Sequence, residues 1–162
     1  MGIVGIFITL IFILFFVRLF AERQVDDVSP GIPCDLEILE KADVYYVIPL
    51  FENGSIGDNS EWCGDIKNRN KTLALHGLHH YYHEFEGKIS EEDFEDGIRE
   101  FEDCFNSTPL RFKAPQLVIS SENRALVESF GIEVDGKLNQ IFHKVYHCGD
   151  TGRFSNRFID WF

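Results

Sequence analysis

The segment "KTLALHGLHHYYHEF" (71–85) joins a short apolar run to a dense group of histidines. Residues 71–77 predict a β-strand, because a short apolar run ends there at a glycine. Four of the chain's six histidines follow within this segment, and His76 and His80 are four residues apart. That spacing allows both imidazoles to bind one metal ion if the chain turns helically just beyond the strand. A polar surface pair has the same spacing, as His79 and His83 do, so a third ligand is needed.

The same kind of short apolar run recurs along the chain and alternates with helical patterns. Strands are predicted at 44–51, 111–120 and 140–147, with a short first strand at 21–25 and a weaker one at 131–137. Helices are predicted at 33–41, 90–105, 122–130 and 155–162. Strands that alternate with helices are typical of βα units around a largely parallel sheet.

The third ligand is predicted in the stretch "RQVDDVSPG" (23–31). Asp26 and Asp27 come directly after the first predicted strand and before a Ser-Pro-Gly turn. Side chains alternate in direction along a strand, so one carboxylate can bind a metal ion while the other faces the reacting water. The alternative is an acidic turn without catalytic function, since aspartate commonly begins turns.

The totals limit the range of functions. The chain has 162 residues, a formal net charge of −12 and 44% hydrophobic residues, which allows one domain with its own core plus an appendage. Nucleic acid is not expected as a partner, because phosphate contacts need clustered Lys and Arg and the 15 basic residues form no dense run.

The first twenty residues carry no charged side chain from position 2 to position 17. We expect residues 1–20 to be a single transmembrane anchor that contacts the lipid bilayer, followed by a domain over 21–162. A cleaved signal peptide is the alternative, although no basic residue precedes the apolar run. Arg18 and Arg23 favour a cytoplasmic domain, whereas glycosylation triplets at Asn53, Asn70 and Asn106 favour the extracytoplasmic side, which we prefer.

The four cysteines lie far apart and form no CxxC pair. Cys34, Cys63, Cys104 and Cys148 are therefore expected to be structural rather than metal ligands, and their even number permits two disulfides in an oxidising compartment.

Four motifs together resemble a known family. They are "VDDVSPG" (25–31), "LHGLHHYYHEF" (75–85), "FKAP" (112–115) and "VYH" (145–147), and they occur in the order of the motifs of the polysaccharide deacetylase superfamily, the NodB-type carbohydrate esterases. The resemblance is greatest to a branch of predicted deacetylases with the pattern HGxxHxxxEF. It implies an α/β fold of the (β/α) barrel type, with the site at the carboxyl ends of the strands. The domain is short for that family, so an incomplete, open barrel is allowed.

The resemblance also implies a role for each site residue. Asp27, His76 and His80 would bind a divalent metal ion, zinc by preference, with Co²⁺, Ni²⁺ or Fe²⁺ as alternatives. Asp26 would be the general base and His147 the general acid, and no organic cofactor is implied. Such a set leaves positions on the metal for water and for the acetyl oxygen.

The motifs assign no role to Glu84 or to the basic residues of the segment 111–116. Glu84 matches the branch pattern, but the pattern does not say what it does. The family's third motif usually carries an arginine, which is absent from "RFKAPQ" (111–116), so the charge that orients the base could come from Lys113, from Arg111 or from neither.

The resulting prediction is a metal-dependent hydrolase that removes an acetyl group from an N- or O-acetylated carbohydrate or a related amide. The alternative is a catalytically degenerate module on the same fold that binds metal or glycan without turnover. A different metal-dependent amide hydrolase on the same barrel remains open, since fold does not determine substrate.

Overall fold

A computed structural model describes residues 2–162, and its domain is built on a six-stranded parallel sheet. The strands are β1 (Arg23–Val28), β2 (Val44–Val47), β3 (Thr72–His76), β4 (Arg111–Lys113), β5 (Glu133–Asp135) and β6 (Lys144–His147). Their order in the sheet is β5-β4-β3-β2-β1-β6, and every neighbouring pair is parallel. Strands β5 and β6 are the two edges and do not pair with each other within the described residues, so the sheet forms an open half barrel. The predicted parallel α/β fold is confirmed.

Helices connect the strands and cover the sheet. They are α1 (Ile3–Phe20), α2 (Leu36–Lys41), α3 (Ser60–Asn68), α4 (Glu91–Phe105), α5 (Ser121–Ser129), α6 (Lys137–Phe142) and α7 (Asn156–Trp161). Helix α4 begins after Ser90, whose hydroxyl accepts a hydrogen bond from the Asp93 amide. Phe94 and Phe101 of its apolar stripe are completely buried in the hydrophobic core.

Several predicted boundaries are wrong, each for a local reason. Strand β4 ends at Lys113 because Pro115 lacks an N–H to continue the ladder, and Gln116 has a positive φ of 52°. The predicted strand at 140–147 is half helix, since α6 occupies its first residues, and α3 was not predicted at all. Strand β1 runs to Val28, beyond the predicted end at residue 25, and therefore contains the Asp pair.

Both pairs of cysteines form disulfides, which agrees with their expected structural role. Cys34–Cys148 links the segment after β1 to the residue that follows β6. Cys63–Cys104 links α3 to α4. The four sulfur atoms are therefore not available as metal ligands.

The N-terminal segment forms helix α1, although Met1, the first residue of the predicted anchor, lies outside the described residues. Within residues 2–162, none of the helices combines the length and hydrophobicity that crossing a bilayer requires, so the transmembrane segment and the lipid contact predicted for residues 1–20 are not supported. At the end of α1, the Arg18 guanidinium donates hydrogen bonds to the carbonyl oxygens of Gln140 (3.1 Å) and Ile141 (2.9 Å).

Candidate metal and acid–base site

Three side chains converge at the carboxyl ends of β1 and β3. Asp27 lies in β1, His76 is the last residue of β3, and His80 lies in the loop that follows. Each offers a ligand atom within 4.8 Å of the others. The Asp27 Oδ1 atom is 3.2 Å from His76 Nε2 and 2.9 Å from His80 Nε2. The structure therefore brings together the three predicted metal ligands.

Left-handed backbone conformations produce this convergence. Asp27 and His80 both have φ of 64°, a region that costs a residue other than glycine about 1–3 kcal/mol and that recurs at functional sites. At Asp27 the positive φ coincides with a break in register between Val25 and Val28. Asp26 and Asp27 consequently line the same cavity instead of facing opposite sides of the strand. His80 reaches Asp27 through a loop, so the helical turn expected between His76 and His80 is not what joins them.

The hydrogen bonds of the ligand atoms fit a divalent cation. His76 Nδ1 lies 3.0 Å from the Lys113 carbonyl oxygen, which holds the proton on Nδ1 and leaves Nε2 facing Asp27. Asp27 Oδ2 accepts a hydrogen bond of 2.8 Å from Thr151 Oγ1. Asp27 Oδ1 is buried and, in residues 2–162, has no hydrogen-bond donor of acceptable geometry, despite the two nearby imidazole nitrogens. A buried carboxylate oxygen without a donor, beside two imidazole nitrogens, is a set of ligand atoms that could hold a divalent metal ion.

The charges around this site favour a positive centre. Burial raises the pKa of Asp27, but its interactions with His76 and His80 outweigh burial and hold that pKa below its usual value. Burial lowers the pKa of His76, but the charges of Asp26 and Asp27 outweigh it and raise that pKa. Both shifts have the same cause, which is negative charge concentrated next to two imidazoles.

Lys113 holds the carboxylate of Asp26. Its Nζ donates to Asp26 Oδ1 (2.7 Å) and to Gln24 Oε1 (2.8 Å), and the side chain is completely buried. The ammonium group also lies 3.7 Å from the centroid of the Tyr46 ring, a cation–π contact. Burial lowers the pKa of Lys113, and the nearby Asp26 charge opposes this effect. Of the two basic residues left open by the motif, Lys113 is the one that pairs with Asp26.

Arg111 has different partners. Its guanidinium donates to Glu22 (2.9 Å) and to Asp135 (3.1 Å), and both contacts lie away from Asp26. Lys113, and not Arg111, is therefore the basic residue of this segment that contacts Asp26.

His147 lies at the end of β6. It approaches the Asp26 oxygen that Lys113 does not contact. Its Nε2 is 3.9 Å from Asp26 Oδ2. The His147 backbone is fixed by Asn156, whose side chain accepts from the His147 amide and donates to the His147 carbonyl. Gly152 packs on the imidazole, and a Cβ there would lie 2.4 Å from His147 Nδ1. This Nδ1 atom is buried and makes no hydrogen bond within the described part of the chain.

The other three histidines point elsewhere. His79 Nδ1 lies 3.1 Å from the Leu50 carbonyl oxygen, and its ring stacks on Tyr81. His83 contacts Glu86 at 2.8 Å on the surface, and His143 Nδ1 lies 3.1 Å from the Glu22 carbonyl oxygen.

The site opens into one cavity of about 950 Å³. The predicted metal ligands and the predicted acid and base all line it: Asp26, Asp27, His76, His80 and His147. Thr151 and Gly152 line it as well, and neither was predicted, because they follow the last motif in a turn whose sequence carries no catalytic pattern.

Comparisons with solved structures identify the same fold in carbohydrate deacetylases. A chitin deacetylase from the fungal pathogen Colletotrichum lindemuthianum superposes with a TM-score of 0.54 at 15% identity, over 86% of this chain and 62% of that one. A peptidoglycan N-acetylglucosamine deacetylase superposes with a TM-score of 0.52 at 12% identity, over 72% of this chain and 56% of that one. A family 4 carbohydrate esterase pseudoenzyme from Bacillus anthracis gives 0.54 at 17% identity, over 72% and 42%. No protein-family model and no curated protein sequence matches the chain.

These comparisons confirm the resemblance at the level of the fold. The chain spans between about two fifths and three fifths of the length of these three structures. They include a pseudoenzyme, and a mutant of that pseudoenzyme with restored activity also superposes, with a TM-score of 0.55. The fold therefore accompanies both active and inactive sites, and the fold alone does not determine the function of this chain.

Proposed function

We propose that this chain, which has the fold of family 4 carbohydrate esterases, is a metal-dependent deacetylase. Its substrate would be an N- or O-acetylated carbohydrate or a related amide, and its metal zinc by preference. The observation that carries the proposal is the convergence of Asp27, His76 and His80 in the cavity that also contains Asp26 and His147. The chitin and peptidoglycan deacetylases of the same fold support this substrate class.

The ligand set has a defined chemical purpose. A divalent cation held by Asp27, His76 and His80 would supply positive charge that polarises the acetyl carbonyl and acidifies a water molecule. Asp26 lies beside this set and would accept the proton of the attacking water as general base. Lys113 and Gln24 fix the position of that carboxylate before substrate binds.

His147 would complete the hydrolysis as general acid. When the carbon–nitrogen or carbon–oxygen bond of the acetyl group breaks, the leaving atom needs a proton, and an imidazolium at His147 Nε2 would donate it. His147 and Asp26 approach to 3.9 Å, so the donor and the acceptor of protons border the same small volume. Acetate and the deacetylated amine or alcohol are the products.

The direct test is acetate release from N-acetylated chito-oligosaccharides by the purified protein with added Zn²⁺, Co²⁺ or Ni²⁺. We expect release that a chelator abolishes, and a loss of about 10²-fold or more in kcat for Asp26→Asn, the usual scale of a general base. Glu86→Gln is the matched control, because Glu86 is an exposed carboxylate that pairs with His83 on the surface. Equal rates for Asp26→Asn and the unaltered protein would contradict the assigned base.

A degenerate, metal- or glycan-binding module is the second candidate. The supporting observation is His147 Nδ1, which is buried without a hydrogen-bond partner in the described residues, so no acceptor orients the acid. A pseudoenzyme with the same fold supports it too. A protein that binds one metal equivalent and releases no acetate would favour this second function.

We also propose that the domain folds in an oxidising, extracytoplasmic compartment. Two disulfides support this, since such bonds persist mainly outside reducing compartments. Mass spectrometry after alkylation of the native, unreduced protein should find all four cysteines unmodified, because disulfide sulfur atoms do not react with the reagent. Modification of four free thiols in protein from its natural source would contradict this localisation.

A further inference from the structure

The carboxylate of Glu84 lies against the loop that carries His80. Its Oε2 atom accepts hydrogen bonds from the amides of Leu78 (3.0 Å) and His80 (3.3 Å). Its Oε1 atom accepts one from the amide of His79 (2.7 Å). A single carboxylate thus receives three consecutive backbone N–H groups, and bonds to an ionised acceptor are stronger than neutral ones.

This loop has a backbone that needs external support. His80 has φ of 64°, and in a residue other than glycine such a conformation persists only where the surroundings determine it. The carboxylate fits closely because residue 77 is glycine, since a Cβ there would lie 2.5 Å from Glu84 Oε2. The close fit and the three amide contacts together fix the course of the chain from β3 to His80.

Glu84 is itself held by a rigid neighbour. Phe85 is completely buried, and its ring lies 4.7 Å from that of Phe112 in the core. The Phe85 carbonyl accepts hydrogen bonds from the Ser120 amide (2.9 Å) and the Asn123 side chain (2.8 Å). Glu84 therefore connects the loop to a part of the domain that cannot shift easily.

We propose that Glu84 is a positioning residue for the metal site, which acts by fixing the backbone of His80 and thereby its imidazole beside Asp27. Glu84 does not belong to the group of ligand atoms formed by Asp27, His76 and His80. Its effect on metal affinity passes through one ligand, His80, and the inference rests on the metal site of the proposed function.

The first test is zinc affinity, measured by calorimetry on the full-length protein. Glu84→Ala removes all three acceptor contacts, and we expect it to weaken zinc binding by about 10- to 100-fold, the usual effect of losing a residue that orients a ligand. Glu84→Gln keeps one acceptor oxygen and should lose less zinc affinity. It replaces the alanine variant in the test if that variant does not fold. Glu86→Gln, two residues away on the surface, should change affinity less than about twofold.

A double-mutant cycle distinguishes this role from a general structural one. In a His80→Ala background, zinc can bind only through Asp27 and His76, so Glu84→Gln should have almost no further effect on affinity. If Glu84→Gln weakens zinc binding equally with and without His80, the residue acts on the whole domain, and the proposal is overturned.

Hydrogen exchange without metal tests the clamp separately from the proposed function. We expect the amides of Leu78, His79 and His80 to exchange faster in Glu84→Ala and Glu84→Gln, while Glu86→Gln leaves them unchanged. Unaltered exchange in both Glu84 variants would refute the clamp. Faster exchange together with no zinc binding by the unaltered protein would refute the metal site and retain the loop-positioning contact.

Discussion

Replacing Lys113 by methionine should destabilise the domain strongly, because it leaves the Asp26 carboxylate buried without its cation. The Lys113 side chain is 0% exposed and that of Asp26 is 2% exposed, and their contact is 2.7 Å. Breaking a buried ion pair by removing one partner costs about 3–5 kcal/mol. Lys41→Met is the matched control. Its partners Glu37 and Asp160 are 70% and 50% exposed, and an exposed pair of this kind is worth about 0–1 kcal/mol.

The assay is urea unfolding monitored by tryptophan fluorescence. It is applied to Lys113→Met, Asp26→Asn and the double variant. Each single variant leaves one buried charge without its partner, whereas the double variant leaves none. The double variant should therefore be more stable than the sum of the two single losses predicts. We expect a coupling of about 0.5–3 kcal/mol, the range found for residues in contact. Additive losses, or a Lys113→Met loss no larger than that of Lys41→Met, would refute the assignment of Lys113 as the group that holds the base.

Three further predictions concern other parts of the site and the domain. Burial and the Asp160 contact (2.9 Å) raise the pKa of Tyr146 to about 12 from 10.0, so its phenol favours the folded state below pH 10 and this contribution is lost between about pH 10 and 12. Tyr146→Phe should flatten the alkaline fall in urea midpoint, and an unchanged slope would contradict the shift. Gly152→Ala should lower kcat and leave zinc content unchanged, because the added Cβ displaces the His147 ring. Full activity would show that Gly152 does not position the His147 ring. Replacing Cys34 and Cys148 by serine should lower stability by about 4–5 kcal/mol and also kcat, since Cys148 adjoins His147. Replacing Cys63 and Cys104 should lower stability without lowering kcat. Equal losses of kcat for the two pairs would contradict a specific effect of the Cys34–Cys148 disulfide on His147.

The sequence predicted the sheet well because its signals are local. Short apolar runs such as the one ending at His76 determine the strands, and their alternation with helical patterns determines parallel pairing. The failures occur at the ends of strands, where local features such as the proline after β4 decide the boundary. Ile141 and Phe142 are as apolar as strand residues, but they finish helix α6 before β6 begins at Lys144.

The candidate site was predictable in its residue types and not in its supporting contacts. The ordered motifs identified Asp27, His76 and His80, which the structure brings together. The positive φ of Asp27 could not be read from the sequence, since aspartate is common in ordinary turns and strand ends. The amide contacts of Glu84 could not be predicted either, because they depend on how the loop folds back.

The most direct measurement is the metal content of the purified protein and of its single variants, followed by X-ray absorption on the zinc-loaded form. We expect one zinc per chain, with oxygen and nitrogen ligands at about 2.0–2.2 Å. Asp27→Ala, His76→Ala and His80→Ala should each be purified with far less than one zinc per chain, because two remaining ligands bind it only weakly, while His79→Ala and His83→Ala retain it. Loss of zinc in His79→Ala or His83→Ala, or a sulfur ligand in the absorption spectrum, would contradict the central claim.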